Sequence, residues 1–152
     1  MRPEQRDEVL NLLNRILEQE LAGVVRYTHY SFMVFGPSRI PIVSWFRSQA
    51  AEAVLHAQQA GELITHLGAY PSLGIGPLLD SHQTDIMTML RESLKSEEEA
   101  LRLYRQLLSV VEGQSVMIEE YARQMIYAEE MHAGEVDKML RRPGETMGQV
   151  RS

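Results

Sequence analysis

Residues 68–81, GAYPSLGIGPLLDS, decide how this chain folds. Three glycines and two prolines in fourteen positions keep any helix from running through them. On both sides strand signals are nearly absent, and Leu, Ala, Glu, Gln, Arg and Met fill long stretches. Further breaks fall at Gly36-Pro37-Ser38-Arg39-Ile40-Pro41 and at Glu112-Gly113-Gln114, and a tail opens at Arg142-Pro143-Gly144. Four helices are therefore predicted, roughly at 4–35, 42–67, 82–112 and 115–141. The first and third connections are short, so each joins two helices into a hairpin. The middle one can extend about 45–50 Å. Helices of about 26–32 residues run about 40–48 Å, so this connection is just long enough to travel the bundle's length. The expected fold is all-α, a four-helix bundle with a long crossover between helices two and three. It occupies residues 1–141, with a flexible tail over 142–152.

Composition sets the outer bounds. The 152 residues (17.4 kDa) allow one domain with a substantial core. No stretch is apolar enough for a transmembrane helix, and the opening MRPEQRDEVL lacks the apolar run of a secretory signal. The absence of cysteine excludes disulfides, thiolate metal sites and a cysteine nucleophile, and fits a cytoplasmic protein. A net charge of -6 argues against nucleic-acid binding, which needs a basic surface.

Heptad seams mark the buried face of each helix, and carboxylates interrupt them. In the first helix Leu10, Leu13, Leu17, Glu20, Val24, Tyr27 and Ser31 alternate steps of three and four, the stripe that a bundle core requires. The third helix runs Leu90, Leu94, Glu97, Leu101, Tyr104, Leu108, Val111, again one glutamate with a tyrosine seven residues later. The fourth reads Ile118, Ala122, Met125, Glu129, His132, Val136, Met139, with Glu129 and His132 three apart on one face. A buried, unpaired carboxylate is expensive, so three at similar depth call for cations. Carboxylate oxygens and neutral imidazoles are suitable ligands. The di-metal arrangement that recurs in bundles takes one Glu from each of two helices and a Glu-x-x-His pair from each of the others. Four carboxylates would also neutralise two divalent ions.

The second helix offers His56, but the residue three before it is Ala53. Glu52, four before, lies on the same helical face. Two seams compete there. One is Trp45, Gln49, Glu52, His56, Gln59, Leu63; the other, more apolar, is Phe46, Gln49, Ala53, His56, Ala60, Leu63, Leu67. Glu20 to Glu52 and Glu97 to Glu129 both span 32 positions, which points to two related hairpins and favours Glu52 as a ligand.

These residues resemble the ferritin-like superfamily, and most closely its bacterioferritin branch. The matching pieces are Glu20 with Tyr27 in EQELAGVVRYTHY, His56 in AEAVLHAQQAGELITHLGAYPSL, Glu97 in LKSEEEALRLY, and Glu129 with His132 in AEEMHAGEVDKML. The resemblance implies a di-iron site that binds Fe(II) and reacts it with dioxygen or peroxide, although Mn or Zn suits the same donors. Glu20 and Glu97 would be terminal carboxylates, Glu129 and Glu52 would bridge or chelate, and His56 and His132 would supply nitrogens. Tyr27 would be the hydrogen-bonding or electron-donating neighbour. Three departures matter. Ala53 stands at the bridging-glutamate position. Val54 stands where bacterioferritins carry the haem-binding methionine, so no haem is expected. Twenty residues follow His132, so the fifth helix of cage-forming relatives is expected to be missing.

Blander readings apply elsewhere. A lone core Glu or His is usually a satisfied polar group, and only the full set reverses that. Tyr104 reads as a core aromatic, His29, His66 and His82 as surface residues, and the nine methionines as adaptable filler. Val43, Ala50, Val54, Ala57 and Ile64 form a second apolar face on helix two, on which a homodimer is expected. Oxidative iron handling is the leading function. Another di-metal oxidoreductase or peroxidase, or a non-catalytic bundle with a degenerate site, remains the alternative.

Overall fold

The computed structural model describes residues 1–147 and consists of four α-helices: α1 (Pro3–Phe32), α2 (Arg39–His66), α3 (Ile86–Val111) and α4 (Val116–Leu140). No strand occurs among the described residues. Local chemistry sets the helix ends. Asp85 accepts a hydrogen bond from the Thr88 amide at 3.0 Å, which starts α3 four residues later than the glycine-and-proline break predicts. Ser115 caps α4 through the Ile118 amide. Pro41 falls in the first turn of α2, where a missing N–H costs nothing, so that helix starts at Arg39 rather than 42. Gly68 ends α2 with φ at +81°, a conformation glycine adopts without strain. Of the tail expected over 142–152, residues 142–147 carry no helix, and the remainder lies outside the described residues.

The crossover climbs α1 rung by rung. Arg6 donates to the Leu67 carbonyl, the Ser72 amide to Asn14 Oδ1 at 2.7 Å, and the Gly76 amide to the Glu18 carbonyl at 2.8 Å. His82 then meets His29. The chain thus enters α3 beside the end of α1 and runs back down. Tyr30 donates to Glu92, Tyr27 to Glu97 and Tyr104 to Glu20. Helices α2 and α3 are parallel, as are α1 and α4.

Two apolar clusters fill the bundle. One gathers Leu13, Ile16, Ile64, Leu107 and Ile118, and the other Tyr30, Phe46, Met89, Leu90 and Val136. Each such side chain contributes about 1.5–3 kcal/mol on burial. The level between the clusters belongs to the polar residues described below.

Helix α2 buries Val43, Phe46, Ala50, Ala53, Ala57, Ala60 and Ile64. The apolar seam through Ala53 is therefore the buried one, and Glu52 and His56 lie on its flank, partly accessible. Small residues there let α1 come close: a Cβ built on Gly23 would lie 3.6 Å from that of Ala53. This corrects the dimer face expected from the sequence. Val43, Ala50, Ala57 and Ile64 pack inside their own bundle and only Val54 stays at the surface, because one apolar arc more than 100° wide serves the core. No described helix is long and apolar enough to cross a membrane.

Candidate metal centre

Every helix contributes to a polar layer at mid-height. One small cavity is lined by Glu20 and Tyr27 of α1, Gln49, Glu52, Ala53 and His56 of α2, Glu97 of α3, and Glu129 and His132 of α4. His56 Nδ1 lies 3.5 Å from Glu20 Oε2 and 3.3 Å from Glu129 Oε1. Glu20, His56 and Glu129 each offer a donor atom within 4.8 Å of the others, the only such trio among the described residues. Glu52 approaches from the rim: its Oε1 is 3.6 Å from His56 Nε2, and its side chain is 46% exposed. Glu97 and His132 form the neighbouring half, with His132 Nε2 3.7 Å from Glu97 Oε1.

Two tyrosines lock the halves together. Tyr27 donates to Glu97 Oε1 at 2.8 Å, and Tyr104 donates to Glu20 Oε1 at 2.9 Å. Each tyrosine lies seven residues after its own hairpin's glutamate and binds the other hairpin's. With its proton committed to Glu97, the Tyr27 oxygen can accept only from His132 Nε2, 3.0 Å away. In its neutral form His132 then carries its proton on Nε2 and keeps the lone pair on Nδ1, the arrangement a metal-ligating histidine needs. Trp45 stacks on the His132 ring, centroids 5.8 Å apart and planes within 10°. Tyr104, read from the sequence as a core aromatic, is fully buried, and its hydroxyl joins the layer through Glu20. The repeated glutamate-to-tyrosine spacing was the signal that could have found it.

The electrostatics are those of crowded acids. Burial, then the charge of Glu97 and a shared hydrogen bond with it, holds the Glu129 carboxyl well above the usual carboxylate range. Burial likewise raises Glu20, against the opposing hydrogen bond and charge of His56. Burial also works against ionising Glu97, but hydrogen bonds from Glu129 and Tyr27 and the charge of His132 bring it below its ordinary value. Burial disfavours protonated His56, yet Glu20 with Glu52 and Glu97 raise it overall. Burial and the Glu97 and Glu20 carboxylates push the Tyr27 and Tyr104 phenols up, so both stay protonated donors. Glu129 Oε2 has no hydrogen-bond partner although it is buried. A buried, unsatisfied carboxyl oxygen facing an imidazole and two further carboxylates is what a cation would satisfy. The donor set fits a pair of divalent metals.

Comparison with known proteins agrees with the four-helix fold. The sequence model of the family described as "Ferritin-like domain" matches residues 10–143. No curated protein matches the chain. Among solved structures, a ferritin-like, diiron-carboxylate protein from Bacillus anthracis is 25% identical over 93% of this chain and 100% of its own, with a TM-score of 0.84. Two others are each 21% identical and show likeness of fold alone. A Rhodobacter capsulatus bacterioferritin, solved with a metal-free dinuclear site and haem iron, has a TM-score of 0.78 over 88% of this chain and 84% of its own. A dodecameric thioferritin from Bacteroides fragilis, a bacterioferritin-related protein, scores 0.80 over 89% and 85%. The family model spans residues 10–143 of this four-helix bundle, and the chain belongs to the ferritin-like domain family.

Proposed function

We propose that this chain binds two iron ions in its mid-bundle layer and oxidises Fe(II) with dioxygen or peroxide. The observation that carries this reading is the trio of buried Glu20 and Glu129 with partly accessible His56, joined across Tyr27 and Glu97 to His132. Glu20, His56 and Glu129 would hold one ion, and Glu97 and His132, sharing Glu129, the other. Glu52 would close the site from its rim. Bound iron would supply the one-electron redox chemistry.

The protein's own groups prepare the site. Tyr27 and Tyr104 orient Glu97 and Glu20 through charge-assisted hydrogen bonds. Tyr27 also fixes the His132 tautomer, and Trp45 holds the ring plane. Because burial and Glu97 raise the Glu129 carboxyl, a cation would compete there with a proton, and binding should release protons. Burial between two apolar clusters keeps bulk water from the layer.

The test is to load purified protein anaerobically with Fe(II) and admit oxygen. Rapid oxidation well above the iron-only control is expected, and Glu129→Ala should abolish the excess. A rate no faster than iron alone would sink the proposal. Ala53 at the bridging position favours a second reading, a bundle with a degenerate site. Metal analysis separates the two: about two equivalents per chain support the first, and none after reconstitution the second. A homodimer through the outward surface of α2, within a larger assembly, is part of the proposal.

A further inference from the structure

The acidic layer has a positive neighbour that lies outside the heptad seam of α1: Arg26. It is buried, 5% exposed, and its Nε has no hydrogen-bond partner. Its guanidinium carbon lies 5.8 Å from the centre of the Tyr27 ring. Its Nη2 lies 3.7 Å from where a Cβ on Gly23, one turn earlier, would stand. Gly23 and Arg26 border a cavity of about 10 Å³ whose wall includes Glu20 and Glu97. That space admits no more than about one water, so charge across it is weakly screened.

Arginine stays charged at any pH the fold survives. Two divalent ions balance the four carboxylates of the layer, and Arg26 leaves that balance one positive charge in excess. The two halves of the layer meet this excess differently. Tyr27, whose ring lies against the guanidinium, bonds both Glu97 and His132. Burial disfavours the charged form of Glu97, whereas a hydrogen bond from Glu129, the charge of His132, a hydrogen bond from Tyr27 and the charge of Arg26 favour it. Glu20 also borders the cavity, but its half, with His56 and Glu129, has Glu52 at the rim as well. The cation thus adjoins the half with fewer carboxylates.

We propose that Arg26 makes the two metal subsites unequal. This rests on the di-metal reading. The Glu20–His56–Glu129 subsite fills first and keeps its ion. The Glu97–His132 subsite, repelled by the guanidinium, fills second and gives up its ion first. Arg26 is not a ligand, since a guanidinium has no acceptor to offer. It is a positioning residue that acts through its charge, and it divides the layer into a resident subsite and an exchanging one.

The test is titration of the metal-free full chain with Zn(II) at neutral pH and fixed ionic strength, followed by calorimetry with a competing chelator. Two steps at least about tenfold apart are expected in the native chain. Glu97→Gln should remove the weaker step and leave the tighter one. Arg26→Gln and Arg26→Met should both tighten the weaker step at least about tenfold, with the tighter step changed less than about threefold. Arg26→Lys, which keeps the charge, should leave the weaker step weak. Thermal melts check that each variant folds. A merely structural role for Arg26 predicts the opposite sign, because a loosened layer binds metal less well. One equivalent in the native chain and two in Arg26→Gln would support the proposal in its strongest form. Two equal steps in the native chain overturn it and leave the di-metal reading standing. A weaker step that fails to tighten in both neutral variants overturns it, as does equal tightening in Arg26→Lys or loss of the tighter step in Glu97→Gln. No bound metal in any variant would remove the di-metal reading and this proposal with it.

Discussion

Glu129 concentrates the cost of the polar layer: buried, without a hydrogen-bond partner at Oε2, and with its carboxyl raised well above the usual carboxylate range by burial and by Glu97. The signs of the shifts give a testable pH profile. Glu129 and Glu20 have folded values above 4.5, so their contribution to stability is full below 4.5 and is lost as pH rises through the folded values. His56, raised above 6.5, contributes fully below 6.5 and loses that stability above it. Glu97, lowered, acts oppositely, and its contribution is lost as pH falls below 4.5. The metal-free protein should therefore be most stable near pH 4.5, lose stability as pH rises from there, and lose it more steeply above 6.5, melting at lower temperature toward pH 8. With metal bound the slope should reverse, because the ligands must then be deprotonated. Calorimetric melts across pH, with and without Zn(II), check both halves. Tyr104 gives a second residue-scale prediction. Tyr104→Phe removes the donor to Glu20 and should lower metal affinity about 10–100-fold in a Co(II) competition titration. Unchanged affinity would return Tyr104 to the role of a core aromatic.

At the scale of elements, the crossover is the part most sensitive to single atoms. Gly76 lies so close to α1 that an added Cβ would stand 2.9 Å from the Glu18 carbonyl oxygen, a backbone atom that cannot swing away. Gly76→Ala should cost about 1–3 kcal/mol in urea unfolding, whereas a neutral result would show that the crossover is not held at that rung. Helix α2 shows how an element is read correctly in outline and wrongly in rotation. Its length and its histidine were legible from breaks and spacing. Its buried arc was not, because the seam through Glu52 and the seam through Ala53 differ by one residue, about 100° of rotation. Packing against Gly23 of α1 settles the choice in favour of the small side chain.

For the whole molecule, the homodimer proposed through α2 would use apolar residues that the bundle leaves outside. On α2 these are Ile40 in its first turn and Val54 and Leu55 at mid-helix, Leu55 being 58% exposed. If α2 carries the interface, light scattering should report a dimer or larger species for the native chain and a smaller one for Leu55→Asp, with an unchanged helical spectrum. A monomeric native chain would remove α2 from consideration.

What the sequence alone determined was whatever depends on period and spacing. Breaks at Gly and Pro gave four helices, a fourteen-residue interruption gave the crossover, and charged positions inside apolar seams picked out Glu20, Glu97, Glu129 and His132. Only the tertiary structure decided how the hairpins face each other. It exchanged Tyr27 and Tyr104 between the two halves, turned α2 so that Glu52 stands at the rim, and buried Arg26 beside the acidic layer. Periodicity fixes which face of a helix is apolar. It does not fix the rotation and depth at which two such faces meet, and those set every distance in the polar layer.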